Sequence, residues 1–243
     1  MTQEYSSVLS MKAVVREHRD GPQVVRALNG VDLEVAAGEM VAITGRSGSG
    51  KSTLLNVAGG LDPVTAGEVL VEGRSLTHLD AHELAEMRRK HVGYVFQNLN
   101  LIPSLTAKEN VALPLEFDRV EAKQASSMVD EALSKTGAQE LADRFPDELS
   151  GGQRQRVAIA RAIAGPRRLL LADEPTGALD ELSGRAIMDL LAGMAQDGVA
   201  VVLVTHDNEF AAYADRIVRL RDGQVAETIK RQVVTPTALE LLQ

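Results

Sequence analysis

The run Gly45-Arg46-Ser47-Gly48-Ser49-Gly50-Lys51-Ser52-Thr53 fits G-x-x-x-x-G-K-[ST], the pattern of a loop built to hold phosphate. Its glycines let the backbone wrap closely around a phosphate with N–H groups pointing inward. A helix beginning at its end adds positive potential. Lys51 is placed to reach the β- and γ-phosphates of a nucleotide, and the Ser52 hydroxyl to hold Mg2+. A strand-like apolar run at 40–43 precedes the loop and a helical run at 53–58 follows it, which is the context the motif needs. The second chemistry-bearing feature is the acid pair Asp173-Glu174, which closes the apolar run Leu169-Leu170-Leu171-Ala172. A carboxylate at a strand end beside a phosphate loop can hold Mg2+ through water, which assigns Asp173 to the metal. The next carboxylate falls toward the γ-phosphate, where Glu174 can polarise the attacking water as a general base.

Three further signals are ambiguous taken singly. Gln97 closes an apolar run at 92–96 and alone reads as polar surface. Ser150-Gly151-Gly152-Gln153, after Leu149, stands at a helix start. A capping hydroxyl, bare backbone and a helix dipole make an anion site there, although a capped loop accounts for the same residues. His206 follows the expected strand 199–205, and a lone histidine in that place serves structure or chemistry.

These residues must be positioned by the elements between them. Short strands are expected at 11–16, 31–35, 67–72 and 92–96, and helical spacing occurs at 106–111 and 121–135. A helix over 153–163 carries an apolar stripe at Val157, Ala160 and Ala164, with Arg154, Arg156 and Arg161 elsewhere. The expected strands 168–172 and 199–205 are built on the continuous apolar runs 169–172 and 199–204, as in strands covered by helices on both faces. Two more strands, 216–221 and 225–229, flank a turn at Asp222-Gly223. Strands alternating with helices, and a helix-rich insert in the middle, predict an α/β domain with a mostly parallel sheet. It is expected to be one domain over 1–243, with a helical subdomain at about 98–160 and a short tail at about 231–243.

A chain of 243 residues can bury a proper core. Its formal charge of −8 argues against non-specific binding to nucleic acid or anionic lipid. Without cysteine it has neither disulfides nor thiolate chemistry. The first residues lack an apolar core behind a basic start, so no signal peptide is expected. No apolar run approaches the ~20 residues that span a bilayer. A cytoplasmic location follows as an expectation, with any membrane-spanning part on another polypeptide.

The order phosphate loop, Gln97, Leu149-Ser150-Gly151-Gly152-Gln153, Asp173-Glu174, Ala178-Leu179-Asp180 and His206 resembles that of the ATPase subunits of ABC transporters, from about residue 11 to residue 229. The resemblance implies a P-loop NTPase with a RecA-like, mostly parallel sheet, an antiparallel β subdomain and a helical insert that carries the signature Leu149–Gln153. It implies ATP and Mg2+, with two copies stacked head to tail and each ATP held between the phosphate loop of one and Ser150–Gln153 of the other. Gln97 is then a sensor of the γ-phosphate and a Mg2+ contact that links both to the helical insert, Asp180 lies at the dimer seam, and His206 contacts the γ-phosphate. The region 97–115 is expected to contact a membrane-spanning permease, and the whole to sit on the inner face of the cell membrane.

Several stretches are similar to a narrower group, the ATPases of macrolide export, lipoprotein release and cell division. They are Arg46-Ser47-Gly48-Ser49-Gly50, Gly59-Gly60-Leu61-Asp62, Phe96-Gln97-Asn98-Leu99-Asn100-Leu101-Ile102-Pro103, Glu109-Asn110-Val111 and Glu174-Pro175-Thr176-Gly177-Ala178-Leu179-Asp180. The family usually stacks an aromatic residue on adenine, and the matching position is His18, a smaller ring that opens the site to GTP; Tyr5 is the nearby alternative. Import ATPases share much of this pattern, but a larger C-terminal domain is common among them. Soluble relatives that act on nucleic acid or ribosomes need a coiled coil or a second cassette, and the interval 54–148 has no sustained heptads. A P-loop kinase would have no use for Ser150–Gln153.

Overall fold

The computed structural model describes residues 7–21 and 23–231; the expected tail and Tyr5 lie outside these residues. The chain runs through β1 (Ser7–Asp20), β2 (Gln23–Ala36), β3 (Met40–Thr44), α1 (Lys51–Ala58), β4 (Ala66–Val71), β5 (Arg74–Ser75), α2 (Ala81–His91) and β6 (Val92–Val95). It continues through α3 (Ala107–Phe117), α4 (Ala122–Lys135), α5 (Gly151–Ile163), β7 (Leu169–Asp173), α6 (Glu181–Gln196), β8 (Ala200–Val204), α7 (Asn208–Ala211), β9 (Arg216–Arg221) and β10 (Gln224–Lys230).

Two sheets form. The larger has the order β10-β9-β3-β8-β7-β6, parallel except for the β9–β10 hairpin at its edge. The smaller is antiparallel, β2-β1-β4-β5. Alternation along the parallel strands explains how they join the layers. Val41, Ile43, Leu169, Leu171, Val202 and Val204 point into one core with α1 and the antiparallel sheet. Met40, Ala42, Leu170, Ala172, Val201 and Leu203 point into another with α5 and α6. A third core gathers α3, α4 and one side of α5. The continuous apolar runs therefore follow from burial on both faces.

Four expectations need correction. The stripe on α5 is half of the truth: Val157, Ala160 and Ala164 face the helical core, while Ile159 and Ala162 face the sheet. The helix begun at 106–111 continues to Phe117 through Pro114, because burial of Val111 and Leu115 offsets the ~3 kcal/mol that an interior proline costs. Helices α2 and α6 lie where no element is expected from the sequence. Strands β1 and β2 are also longer than expected, 14 residues each, with irregular register on either side of Ala13, whose φ is 47°.

Candidate nucleotide site

β3 ends at Thr44, and residues 45–50 turn back over the start of α1. Gly50 caps α1 at φ 101°, and a Cβ there would stand 2.3 Å from the Ala27 carbonyl oxygen, so the loop lies against β2 only because the residue is glycine. Lys51 folds back over the loop: its Nζ donates to the carbonyls of Gly45 at 2.9 Å and Arg46 at 3.0 Å. The ammonium is thus held on the loop's own carbonyls, where phosphate oxygens can replace them as its acceptors.

The acids arrive on β7. Asp173 is its last residue and lies beside Ser52. Burial pushes its carboxyl above the usual aspartate range, and neighbouring Glu174 adds to that, while the Ser52 hydroxyl and Lys51 pull the other way. Its Oδ1 is buried without a hydrogen-bond partner, an uncommon state for a carboxylate and one that a divalent cation would relieve. Among the described residues no three His, Cys, Asp or Glu side chains cluster as a metal site. An ion held by Ser52 and Asp173 would take its other ligands from phosphate and water.

Glu174 follows with φ 49°, unusual for a residue with a side chain, its N–H donating to Val204 O at 3.0 Å. That turn aims the carboxylate at His206, whose Nδ1 lies 3.0 Å from Oε1 and 2.9 Å from Oε2. The Glu174 side chain is 14% exposed and that of His206 74%. Hydrogen bonding to the carboxylate, then its charge, raises the imidazole pKa above the ordinary value.

One basin is lined by Gly45, Ser47, Gly48, Gly50, Lys51, Ser52, Thr53, Gln97, Asp173, Glu174 and His206. Most of the residues expected from the sequence to meet the phosphates are thereby brought together. Arg46 and Ser49 line the loop's other side, toward Arg219 and Asp222, which the basin shares through Gly45 and His206. The basin's remaining wall is Val204 at the end of β8 and Val25, Arg26 and Ala27 of β2, and no sequence signal marks the three on β2. His18 is exposed on β1 and pairs with Val25, but is not itself part of the wall.

The signature residues are elsewhere on the chain. Ser150 caps α5, accepting from Gln153 N at 3.3 Å, while Gln153 Oε1 accepts from Ser150 N at 2.9 Å. Ser150, Gly152 and Gln153 line a separate groove with Arg156 and Ser183, sharing no residue with the phosphate basin. Gly151 sits against Leu179, so that the start of α5 faces the turn into α6. Asp180 caps α6 by accepting from Ser183 N at 2.9 Å and Ser183 Oγ at 2.7 Å, and these bonds hold its carboxyl below the usual range.

Comparison with known proteins agrees with this arrangement. Residues 28–177 match the ABC transporter family. The chain is 44% identical over 232 residues, 95% of its length, to a macrolide export ATP-binding/permease protein, MacB, of Brucella melitensis. It is 44% identical over 218 residues to the MacB of Escherichia coli K12. It spans about a third of the length of these curated relatives, 36% and 34% respectively. Among solved structures, the dimeric structure of MJ0796, a bacterial ABC transporter cassette, superposes with a TM-score of 0.84 at 44% identity, covering 91% of this chain and 98% of that one. The same cassette bound to ADP and Pi in a post-hydrolysis dimer matches equally well. CbiO1 of Clostridium perfringens, part of the ABC transporter complex cbiONQ, matches with a TM-score of 0.82 at 28% identity, over 92% of this chain and 88% of that one. With the phosphate loop, the Asp173-Glu174 pair and the capped signature in the family's order, the chain belongs to the ABC transporter family and is one of its ATP-hydrolysing cassettes.

Proposed function

We infer that this cassette binds MgATP in the basin beneath Glu174, hydrolyses it within a head-to-tail dimer, and drives a membrane-spanning permease of the macrolide-export and lipoprotein-release type. The observation that carries the reading is the division of parts: Lys51, Asp173, Glu174 and His206 share one basin, while Ser150, Gly152 and Gln153 line another groove of the same chain. A single copy then offers half of each site, and a second copy supplies the rest.

In this reading Lys51 and the backbone of 45–50 hold the β- and γ-phosphates, and Ser52, Asp173 and Gln97 hold Mg2+. The ion would neutralise charge on the phosphate oxygens and orient them. Glu174 takes a proton from water as its oxygen bonds to the γ-phosphorus and the bond from that phosphorus to the ADP oxygen breaks. His206, within hydrogen-bond distance of Glu174, keeps the carboxylate aimed and reaches the γ-phosphate from its exposed side. His18 lies on the strand that pairs with the basin wall, opposite Val25, and is the candidate base-stacking residue. Asp180 lies at the seam between copies. The segment 97–115, whose Ile102 is 40% exposed, meets the permease, which places the cassette on the inner face of the membrane.

Among the described residues no helix is long and apolar enough to cross a membrane. The membrane work therefore falls to a permease segment or chain beyond them. The test is the mass of the Glu174→Gln protein in solution by light scattering, with and without MgATP. The expected result is unimpaired ATP binding, no turnover, and a shift from monomer to dimer on adding MgATP. Normal turnover in this variant would remove Glu174 as the base.

A further inference from the structure

Between the phosphate basin and the helical core lies a stretch whose shape the rest of the fold does not account for. After Gln97 the backbone takes two consecutive left-handed residues, Leu99 at φ 58° and Asn100 at φ 49°, neither of them glycine. Each such residue costs on the order of 1 kcal/mol or more, so something must hold the turn. The internal bonds are few: Leu99 N donates to Phe96 O and Asn100 N to Asn98 O. The hold comes from outside, at two points. Arg161 on α5 sends Nη1 to the carbonyl of Asn100 at 2.6 Å and Nη2 to that of Leu99 at 2.5 Å. Asn110 on α3, fully buried, accepts from Ile102 N at 2.7 Å and donates to the carbonyls of Ile102, Leu105 and Thr106 at 3.0–3.1 Å.

Arg161 is the more telling of the two. It has no carboxylate partner among the described residues; its fork is spent on two carbonyls of one turn. Lysine could not reproduce that two-pronged grip. It also stands at the far end of the helix whose first turn is the signature, 11 positions after Ser150. A helix of this length is a stiff rod of about 20 Å. Its C-terminal end is anchored in turn by Arg167, which donates to the carbonyls of Arg161, Ala162 and Arg89. Any shift of α5 along or across the sheet therefore pulls directly on the turn that follows Gln97.

We propose that Arg161 is a positioning residue that ties Gln97 to the signature helix: through the carbonyls of Leu99 and Asn100 it sets where the Gln97 side chain stands in the basin according to how α5 lies. Asn110 fixes the other end of the same segment, so the stretch 99–106 moves as one piece. The assignment rests on the reading of Gln97 as a nucleotide contact given above.

The experiment is a double-mutant cycle on steady-state ATP hydrolysis with Arg161→Met, Gln97→Ala and both together, and hydrogen–deuterium exchange over 97–106. Arg161→Met is expected to lower kcat roughly tenfold with KM for ATP changed less than about threefold, and to deprotect 99–106 while α5 keeps its protection. Adding Gln97→Ala to Arg161→Met should lower kcat no further, because both remove the same contact. Arg161→Lys should recover part of kcat. Losses that multiply in the double variant, or wild-type kcat in Arg161→Met, would overturn the proposal. If Arg161→Met does not fold, the cycle is run with Arg161→Lys, where a smaller fall in kcat is expected and a loss that multiplies with that of Gln97→Ala, or wild-type kcat, would overturn the proposal. If Gln97→Ala alone keeps full kcat, the reading of Gln97 is what fails, and the proposal falls with it only if 99–106 also stays protected in Arg161→Met; deprotection there would leave Arg161 as the holder of the turn.

Discussion

Glu174 and His206 form the one charged contact in the basin whose strength depends on pH near neutrality. The carboxylate accepts from His206 Nδ1 at 2.9–3.0 Å and raises the imidazole pKa above its ordinary 6.5. A histidine whose pKa is raised on folding favours its charged form in the native state. The contact's contribution is complete below the unfolded value of about 6.5 and is lost as pH rises through the higher folded value. Since the imidazole is largely exposed, its weight lies in orienting Glu174 and hardly at all in global stability. His206 is expected to titrate, by NMR of its ring protons, above the range of free histidine, and Glu174→Gln should bring the midpoint back down. A midpoint indifferent to that substitution would mean that the carboxylate does not cause the shift. At this scale much of the site was legible, because the phosphate loop and the strand-end acids are written in consecutive residues with local geometry. Val25 and Ala27 were not legible. Nothing in their types hints that a β2 edge would close the basin.

At the scale of elements, the placement of the signature depends on how closely α5 approaches β6. Gly93 permits it: a Cβ there would stand 2.2 Å from Ala162 O, a distance no side chain can share. Gly93→Ala must push α5 off the sheet, and overpacking of this kind costs about 1–3 kcal/mol. Chemical denaturation should register that loss together with a fall in ATP turnover, since Arg161 rides on the same helix. Stability equal to the wild type would show that the strand yields instead. The two unexpected helices were hidden for different reasons. α2 buries only Met87 fully and packs Leu84 beside it, an apolar pair too short to stand out among charged neighbours, and its clearest mark is the capping box of Asp80 and Glu83. α6 did carry a signal, in Ile187, Met188, Leu191, Met194 and Ala195 at helical spacing behind the cap Asp180, and Asp180 drew notice only as a motif residue. The two faces of α5 escaped because alanines at 158, 160 and 162 are small enough to suit either a packed or an exposed surface. The long arms of β1 and β2 escaped because their tips are exposed, polar along β1 at His18 and Arg19 and with Val24 and Val25 of β2 left outside any core.

At the scale of the whole molecule, the separation of the basin from the signature groove bears on stoichiometry, and complementation between two defective chains tests it. Lys51→Ala damages the phosphate loop and leaves Ser150–Gln153 intact; Ser150→Arg fills the signature groove and leaves the loop intact. Each homodimer then has two broken sites. A mixed dimer has one site with both faults and one with neither, because the intact loop of the second chain meets the intact signature of the first. Random pairing of equal amounts makes half of the dimers mixed, each with one good site, so about a quarter of wild-type ATP turnover should return on mixing two inactive preparations. If both components of a site came from the same chain, mixing would restore nothing at any ratio. The recovery should also vary with composition as the product of the two fractions, peaking at equal amounts, whereas contamination by wild-type protein would rise in proportion to one preparation alone.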